Sequence, residues 1–311
     1  MAGYSKSWTG RFLLLVFGIA VLLGVYYAGV IWWVYYKGSD ERPMIPITDA
    51  EITPLHDGFF MIRGGGGNIT VSTGPDGMLI VDTDEKIRLS KIQEALDSLE
   101  AGPLRYVINT HAHEDHRGGN AAFRKAGADI IAHEAAQKDI EAHSKLIGKS
   151  AADEIPNVAV IDGHTFDFNG QHVTLRHSPL AHTDGDLIVH FEPANIIATG
   201  DIFVNMALPY LSYKSGVTLG AHLDGQTMIL AMADDDTVLI PGHGEISDKA
   251  GLAETQSELE QVQAYLKRLK SWGVPSKVLP LFHPIYAWPK EKRTGHGWEK
   301  YWSWLVYVSM P

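Results

Sequence analysis

The chain has no cysteine among its 311 residues. That absence removes disulfide frameworks, thiolate metal ligands and thiol nucleophiles together. Basic residues are also scarce: 26 lysines and arginines stand against 37 aspartates and glutamates, a formal net charge of −11. A surface of that sign repels phosphate backbones, so nucleic acid is excluded as a partner. No Gly-x-Ser-x-Gly stretch occurs, which leaves a serine nucleophile on a strand-to-helix elbow without support. Covalent catalysis through the chain's own side chains thus loses its usual carriers.

Histidine is abundant instead, with 15 in the chain. Its densest stretch is Thr110-His111-Ala112-His113-Glu114-Asp115-His116. Histidine and aspartate are rarely buried without partners, so packing does not explain such a cluster. Leu104 to Asn109, just before it, is rich in β-branched and apolar residues and reads as a strand. In extended backbone His111 and His113 project to one side. Asp115 and His116 follow as the chain turns, and Gly118-Gly119 permits a tight bend.

Three more segments share one design. His182 lies in Ser178-Pro179-Leu180-Ala181-His182-Thr183-Asp184-Gly185-Asp186, Asp201 ends the apolar run Ile196 to Gly200, and His243 lies in Val238 to Gly244. Each is a buried-strand pattern ending in a glycine turn that carries one metal-ligand type of side chain. Ligands at strand ends suit a site that must be rigid.

The set His-x-His-x-Asp-His, then His, Asp and His in separate glycine-flanked turns, resembles the metallo-β-lactamase-fold hydrolases. The resemblance runs from about Ile47 to Gly244 and includes Gly65-Gly66-Gly67-Asn68 and Met78-Leu79-Ile80-Val81-Asp82-Thr83. It implies an αββα sandwich of two packed sheets with helices outside. It also implies that His111, His113 and His182 hold one metal, that Asp115, His116 and His243 hold a second, and that Asp201 bridges them. Asp82 becomes the residue that orients a ligating histidine from beneath; a strand-end aspartate capping the next helix is the competing reading.

Imidazole and carboxylate without thiolate suit zinc, and also iron or manganese. Two zinc ions that share a hydroxide would supply the nucleophile at neutral pH, with Asp115 orienting it and passing a proton to the leaving group. The missing cysteine departs from two of the three zinc β-lactamase groups. The third group does not place an acid at the position of Asp201. A bridging aspartate looks like the glyoxalase II, lactonase and nuclease branches, and the acidic charge weighs against nucleases. The expectation is a dinuclear zinc hydrolase of a small ester, thioester, lactone or amide. Three alternatives stay open: a β-lactamase resembling the third zinc group, a mononuclear iron oxygenase of the persulfide-dioxygenase type, and a metal-binding module without turnover.

The remaining histidines, among them His56, His133, His143, His164, His172, His177, His190 and His222, lack a glycine-turn setting and read as surface or ordinary partly buried residues. His283 follows an apolar segment and is a candidate pocket residue. His296 reads as loop, and Glu114 as solvent-facing.

Residues 12–36 contain neither charge nor proline. About 20 apolar residues span a bilayer, and Trp32, Trp33, Tyr35 and Tyr36 cluster at one end like an interfacial belt. The apolar stretch is longer than a cleavable signal's, so an uncleaved single-pass signal anchor is expected. Lys6, Arg11 and the free amine tip orientation towards N-inside, placing the catalytic domain in the periplasm or outside the cell. The expected organisation is a tail at 1–11, the anchor at 12–36, a linker at 37–46 and one hydrolase domain at 47–311.

Within that domain the patterns predict strands from Ile52 to Val81, a helix through Ile87, Ile92, Leu96 and Leu99, and a strand at Ala128–Ala132. A polar helix follows near Ala135–Ser144, then a strand-rich half from Val158 to Ile197. Leu259, Val262, Leu266 and Leu269 predict a helix from Ser247 to Trp272. The aromatic tail from Trp288 to Tyr307 reads as a terminal helix docked on the core, or as a pocket wall or membrane contact.

Overall fold

The computed structural model describes residues 49–146, 152–205, 208–211 and 216–276. The expected anchor at 12–36, His283, His296 and the aromatic tail lie outside the described residues. Among the described residues no helix is long and apolar enough to cross a membrane.

The central strands carry no polar face. β4 (Gly77–Val81) is buried at every residue, β10 (Asp186–Glu192) and β11 (Ile196–Val204) at all but the last. Strands of that kind require a layer on each side. They lie in two sheets. The first has seven strands in sequence order: β1 (Glu51–Pro54), β2 (Phe59–Arg63), β3 (Asn68–Gly74), β4, β5 (Leu104–Ile108), β6 (Asp129–His133) and β7 (Val158–Val160). β1 to β4 pair antiparallel and β4 to β7 parallel. The second sheet runs β12-β11-β10-β9-β8, with β8 at Gly163–Phe168, β9 at Gln171–Ser178 and β12 at Val238–His243. Only its β11–β12 pair is parallel, and its register shifts at Gly200.

Strand alternation assigns each side chain to a layer. Leu79 and Val81 of β4 meet Leu187, Val189 and Phe191 of β10 in the core between the sheets. Phe59 and Phe191 cross that seam edge to face, 5.0 Å between centroids. Met78 and Ile80 point the other way, to Ile92 and Leu96 of α1 (Leu89–Asp97) and to Phe123. Ile188 and Ile197 point outward to Ile229 of α5 (Leu219–Met232) and Leu252 of α6 (Lys249–Ser271). The result is the αββα layering that the sequence led us to expect. Two short helices, α2 (Glu114–Arg117) and α3 (Asn120–Lys125), follow β5, and α4 (Glu134–Leu146) follows β6.

Several local expectations need correction. Ile87 does not join α1: it lies in a 3-10 turn at Lys86–Arg88 and is 65% exposed. The positive φ of 59° at Asp84 turns the chain before the helix begins. Both histidines lie beyond the end of β5: His111 sits in a bend, and His113 is the extended residue that precedes α2, so they converge outside any strand. α6 starts two residues later than the pattern predicts, because Asp248 caps it by accepting a hydrogen bond from Gly251 N at 2.8 Å. No periodicity marks α5 in the sequence, since it is apolar around most of its circumference.

Candidate metal centre

β4 and β5 end side by side, and Asp82 is the first residue past β4. Its Oδ1 accepts from Thr110 N and its Oδ2 from Thr110 Oγ1, both at 2.8 Å. Oδ2 also receives His116 Nδ1 at 2.8 Å. One buried carboxylate therefore grips both ends of the histidine-rich loop. It does not cap the following helix, so of the two sequence readings the geometry matches the orienting one.

Two clusters form above it. His111, His113, His182 and Asp201 make one, and Asp115, His116 and His243 the other; the donor atoms within each lie within 4.8 Å of one another. His113 Nδ1 lies 3.0 Å from His111 Nε2 and 2.9 Å from His182 Nε2. In the second cluster His116 Nε2 and His243 Nε2 are 3.3 Å apart, and Asp115 Oδ2 is 3.3 Å from His243 Nε2. Asp201 faces both: Oδ2 lies 3.3 Å from His182 Nε2, and Oδ1 lies 3.3 Å from His116 Nε2 and 3.4 Å from His243 Nε2. Grouping by proximity places Asp201 with the first cluster, although His111 Nε2 is 4.0 Å away. The shorter contacts of each oxygen show it shared between the two.

The rear nitrogens are tied down. His111 Nδ1 meets Thr110 Oγ1 at 3.0 Å, His182 Nδ1 meets Tyr210 O at 2.8 Å, and His243 Nδ1 meets Gly66 O at 3.1 Å. Thr110 Oγ1 already donates to Asp82, so its lone pair accepts from His111. Carbonyl oxygens can only accept, so His182 and His243 also carry hydrogen on Nδ1. Their Nε2 atoms therefore face inward, those of His111 and His182 onto His113 Nδ1 and that of His243 onto His116 Nε2. Converging ring nitrogens of this kind fit a cation.

Electrostatics agree from the other side. Burial, then neighbouring His116 and His182, holds His111 well below its usual value. Burial holds His182 down at about 3. Those rings are neutral donors. Burial also opposes charge on His116, yet Asp201 and Asp82 push it well above the usual range. His243 rises to about 9 because Asp115 and Asp201 outweigh burial. The second cluster thus demands positive charge at its centre. Asp201 Oδ1 is buried and meets no donor in hydrogen-bond geometry, an acceptor that a bound cation would satisfy.

Local sequence explains the turns. Asp186 staples the His182 turn by accepting from His182 N at 2.6 Å and Thr183 N at 2.8 Å. Gly242 lets β12 pass beside the shared carboxylate, since a Cβ there would stand 2.0 Å from Asp201 Oδ1. The side chains of Asp115 and His243 remain 32% and 31% exposed, against at most 9% for His111, His116, His182 and Asp201. The centre therefore opens to solvent on the Asp115–His243 side.

All seven sequence-predicted ligand positions come together, and Glu114 is exposed as expected. Two contributions carried no signal in the ligand motifs. Asn68 Nδ2 donates to Pro241 O and Gly244 O, both at 2.9 Å, and so brackets the turn bearing His243. His222 is fully buried behind the centre and is not the ordinary surface or half-buried histidine expected. An asparagine opening a strand was the only hint for the first, and nothing in the spacing pointed to the second.

Two stacked sheets with a histidine–aspartate cluster at their shared edge define a class, the metal-dependent hydrolases of this layered fold. Sequence comparison supplies the family. The signature of the Metallo-beta-lactamase superfamily matches residues 59–243, more than half of the chain, and the chain belongs to that superfamily. A hydroxyacylglutathione hydrolase of Polaromonas sp. strain JS666 is 32% identical over 149 residues, covering 47% of this chain and 50% of that protein. The chain thus spans about half the length of that curated relative. Among solved structures, the DIM-1 metallo-beta-lactamase aligns with a TM-score of 0.57 at 18% identity, over 69% of this chain and 98% of that one. The sec-alkylsulfatase Pisa1 of Pseudomonas sp. aligns with a TM-score of 0.65 at 16% identity, over 83% of this chain and 50% of that one. At these identities the structural likenesses establish the fold alone.

Proposed function

We propose that this chain is a dinuclear zinc hydrolase of small esters, thioesters, lactones or amides, tethered to a membrane by residues 12–36, with its catalytic domain outside the cytoplasm. The observation that carries the dinuclear reading is Asp201, whose two oxygens face different clusters. His111, His113 and His182 would hold one ion and Asp115, His116 and His243 the other. When bound, zinc lowers the pKa of water to about 7 and polarises the substrate oxygen.

The side chains define the rest. The exposed edges of Asp115 and His243 mark where substrate enters. Asp115 is ionised at neutral pH: burial opposes its charge, but His243 and His116 hold its carboxyl at about 2. It accepts the proton of the attacking water and returns it to the leaving group. Asp82 keeps His116 aimed at the centre. No side chain forms a covalent bond to substrate.

A relative named for hydroxyacylglutathione hydrolysis favours a thioester within this substrate range. The buried, acid-bridged centre and the acidic chain give phosphodiester backbones no complementary surface.

The test is zinc quantification alongside a panel of thioester, lactone, β-lactam and phosphodiester substrates, with the purified full-length chain. About two zinc per chain and thioester or lactone turnover are expected, both lost in Asp115→Ala and His243→Ala. Unchanged turnover in both variants sinks the assignment, and one iron per chain replaces it with the oxygenase reading. Release of the chain from membranes by alkaline carbonate would refute the tether.

A further inference from the structure

Helix α5 presses three residues of one face, His222, Gly225 and Gln226, against the turn that carries His182 and the stretch of β11 that carries Asp201. His222 Nδ1 lies 2.8 Å from Ala181 O, the carbonyl next to His182. Gln226 Nε2 lies 3.2 Å from Ile202 O, the carbonyl next to Asp201, and 3.2 Å from His222 Nε2. Both side chains are buried, at 0% and 1% exposure.

Donor and acceptor counting gives this chain one solution. Ala181 O only accepts, so His222 carries its hydrogen on Nδ1 and offers the Nε2 lone pair. The Gln226 amide has two hydrogens, one for that lone pair and one for Ile202 O. Turned over, its oxygen would face two acceptors. The fold keeps the amide this way although Gln226 Oε1 is then buried without a partner. Burial lowers His222 to about 4, which agrees with a neutral ring.

Two further observations show what the link does. The ladder between β11 and β12 is irregular on both sides of Gly200, so strand pairing leaves Asp201 under-determined. A Cβ on Gly225 would stand 2.7 Å from Ala181 Cβ and 3.0 Å from Ile202 Cγ2, so only glycine lets the helix approach both ligand-bearing segments this closely.

We propose that His222 and Gln226 are positioning residues that lock the His182 turn to the irregular stretch of β11 around Asp201, and so set the spacing of a histidine donor and the shared carboxylate for the metal. The proposal rests on the metal-centre reading above. It assigns to α5 the rigidity that the irregular ladder does not supply. Groups of this kind typically change metal affinity by about 10- to 100-fold.

The test uses the full-length chain stripped of metal, with Zn²⁺ affinity measured against a competing chelator and the Co²⁺ absorption spectrum recorded. Gln226→Met should weaken the first Zn²⁺ equivalent by about tenfold or more and shift the Co²⁺ bands. Gln256→Met is the control. Gln256 Nε2 donates to Leu223 O and Thr227 Oγ1 of the same helix, away from the ligand turns. It should leave affinity and spectrum unchanged even where it lowers thermal stability. His222→Leu should behave like Gln226→Met. His222→Gln, which keeps a donor towards Ala181 O, should recover most of the affinity. Equal effects of Gln226→Met and Gln256→Met, or of His222→Leu and His222→Gln, would overturn the positioning role while leaving the metal centre standing. A wild-type chain that takes up neither ion would overturn the metal reading itself, and this proposal with it.

Discussion

The two sheets deliver their ligands in opposite ways. The first sheet gives four, His111, His113, Asp115 and His116, from one loop beyond β5. The second gives three from separate places: His182 from the turn between β9 and β10, Asp201 from the irregular stretch inside β11, and His243 from the end of β12. A contiguous loop needs few restraints, and Asp82 holds both its ends. Dispersed positions each need braces of their own: Asp186 and α5 for His182, α5 for Asp201, Asn68 and Gly66 for His243. Ligand density along the chain therefore trades against supporting structure elsewhere in the fold.

This contrast yields ordered predictions. The largest effect belongs to the residue both clusters share. Asp201→Ala should reduce kcat/KM by about 10³-fold or more and leave fewer than two zinc ions per chain by elemental analysis. Turnover with one retained ion would show instead that the dispersed ligands are dispensable. Stripping metal with a chelator tests whether the clusters also join the sheets. Ligation across both sheets should stabilise the fold by about 4 kcal/mol at metal concentrations 1,000 times Kd. A melting temperature indifferent to chelator would separate the centre from the fold.

Asp82→Ala should cost about 10- to 100-fold in metal affinity and weaken both clusters together, because His111 and His116 share its support through one loop. Asn68→Ala should act more narrowly, by about tenfold at most and on the His243 cluster alone. Biphasic zinc titrations distinguish the two, and equal effects on both phases from each variant would erase the contrast between loop and turns. Glu114→Gln should change nothing measurable, within about 0.5 kcal/mol in stability, although it sits between ligands in sequence. A loss of turnover there would mean the loop has a further active member.

The same contrast explains what the sequence displayed. His111 to His116 are neighbours along the chain, so their chemistry is visible as spacing. His182, Asp201 and His243 became legible through their glycine turns and through a family resemblance that gave them roles. Strand patterns located both sheets, because residues buried on both faces form short apolar runs. The braces stayed hidden. α5 lacks a polar stripe, so neither its existence nor the inward face of His222 and Gln226 appears as periodicity. Asn68 acts through its amide on a backbone 173 residues away, a relation that no local pattern encodes. Ile87 failed for a different reason: its spacing suits a helix, but the left-handed Asp84 before it delays the helix start.

The seam between the sheets carries one more consequence. Neither cluster can be completed by residues of one sheet. His111 and His113 wait for His182 and Asp201, and Asp115 and His116 wait for His243. A chain that has emerged only as far as β6 holds half-built sites, and its last donor arrives with β12. Tight metal uptake is therefore a late event in the life of the polypeptide. It records that both halves have been made and docked, so a misassembled chain would identify itself by staying metal-poor.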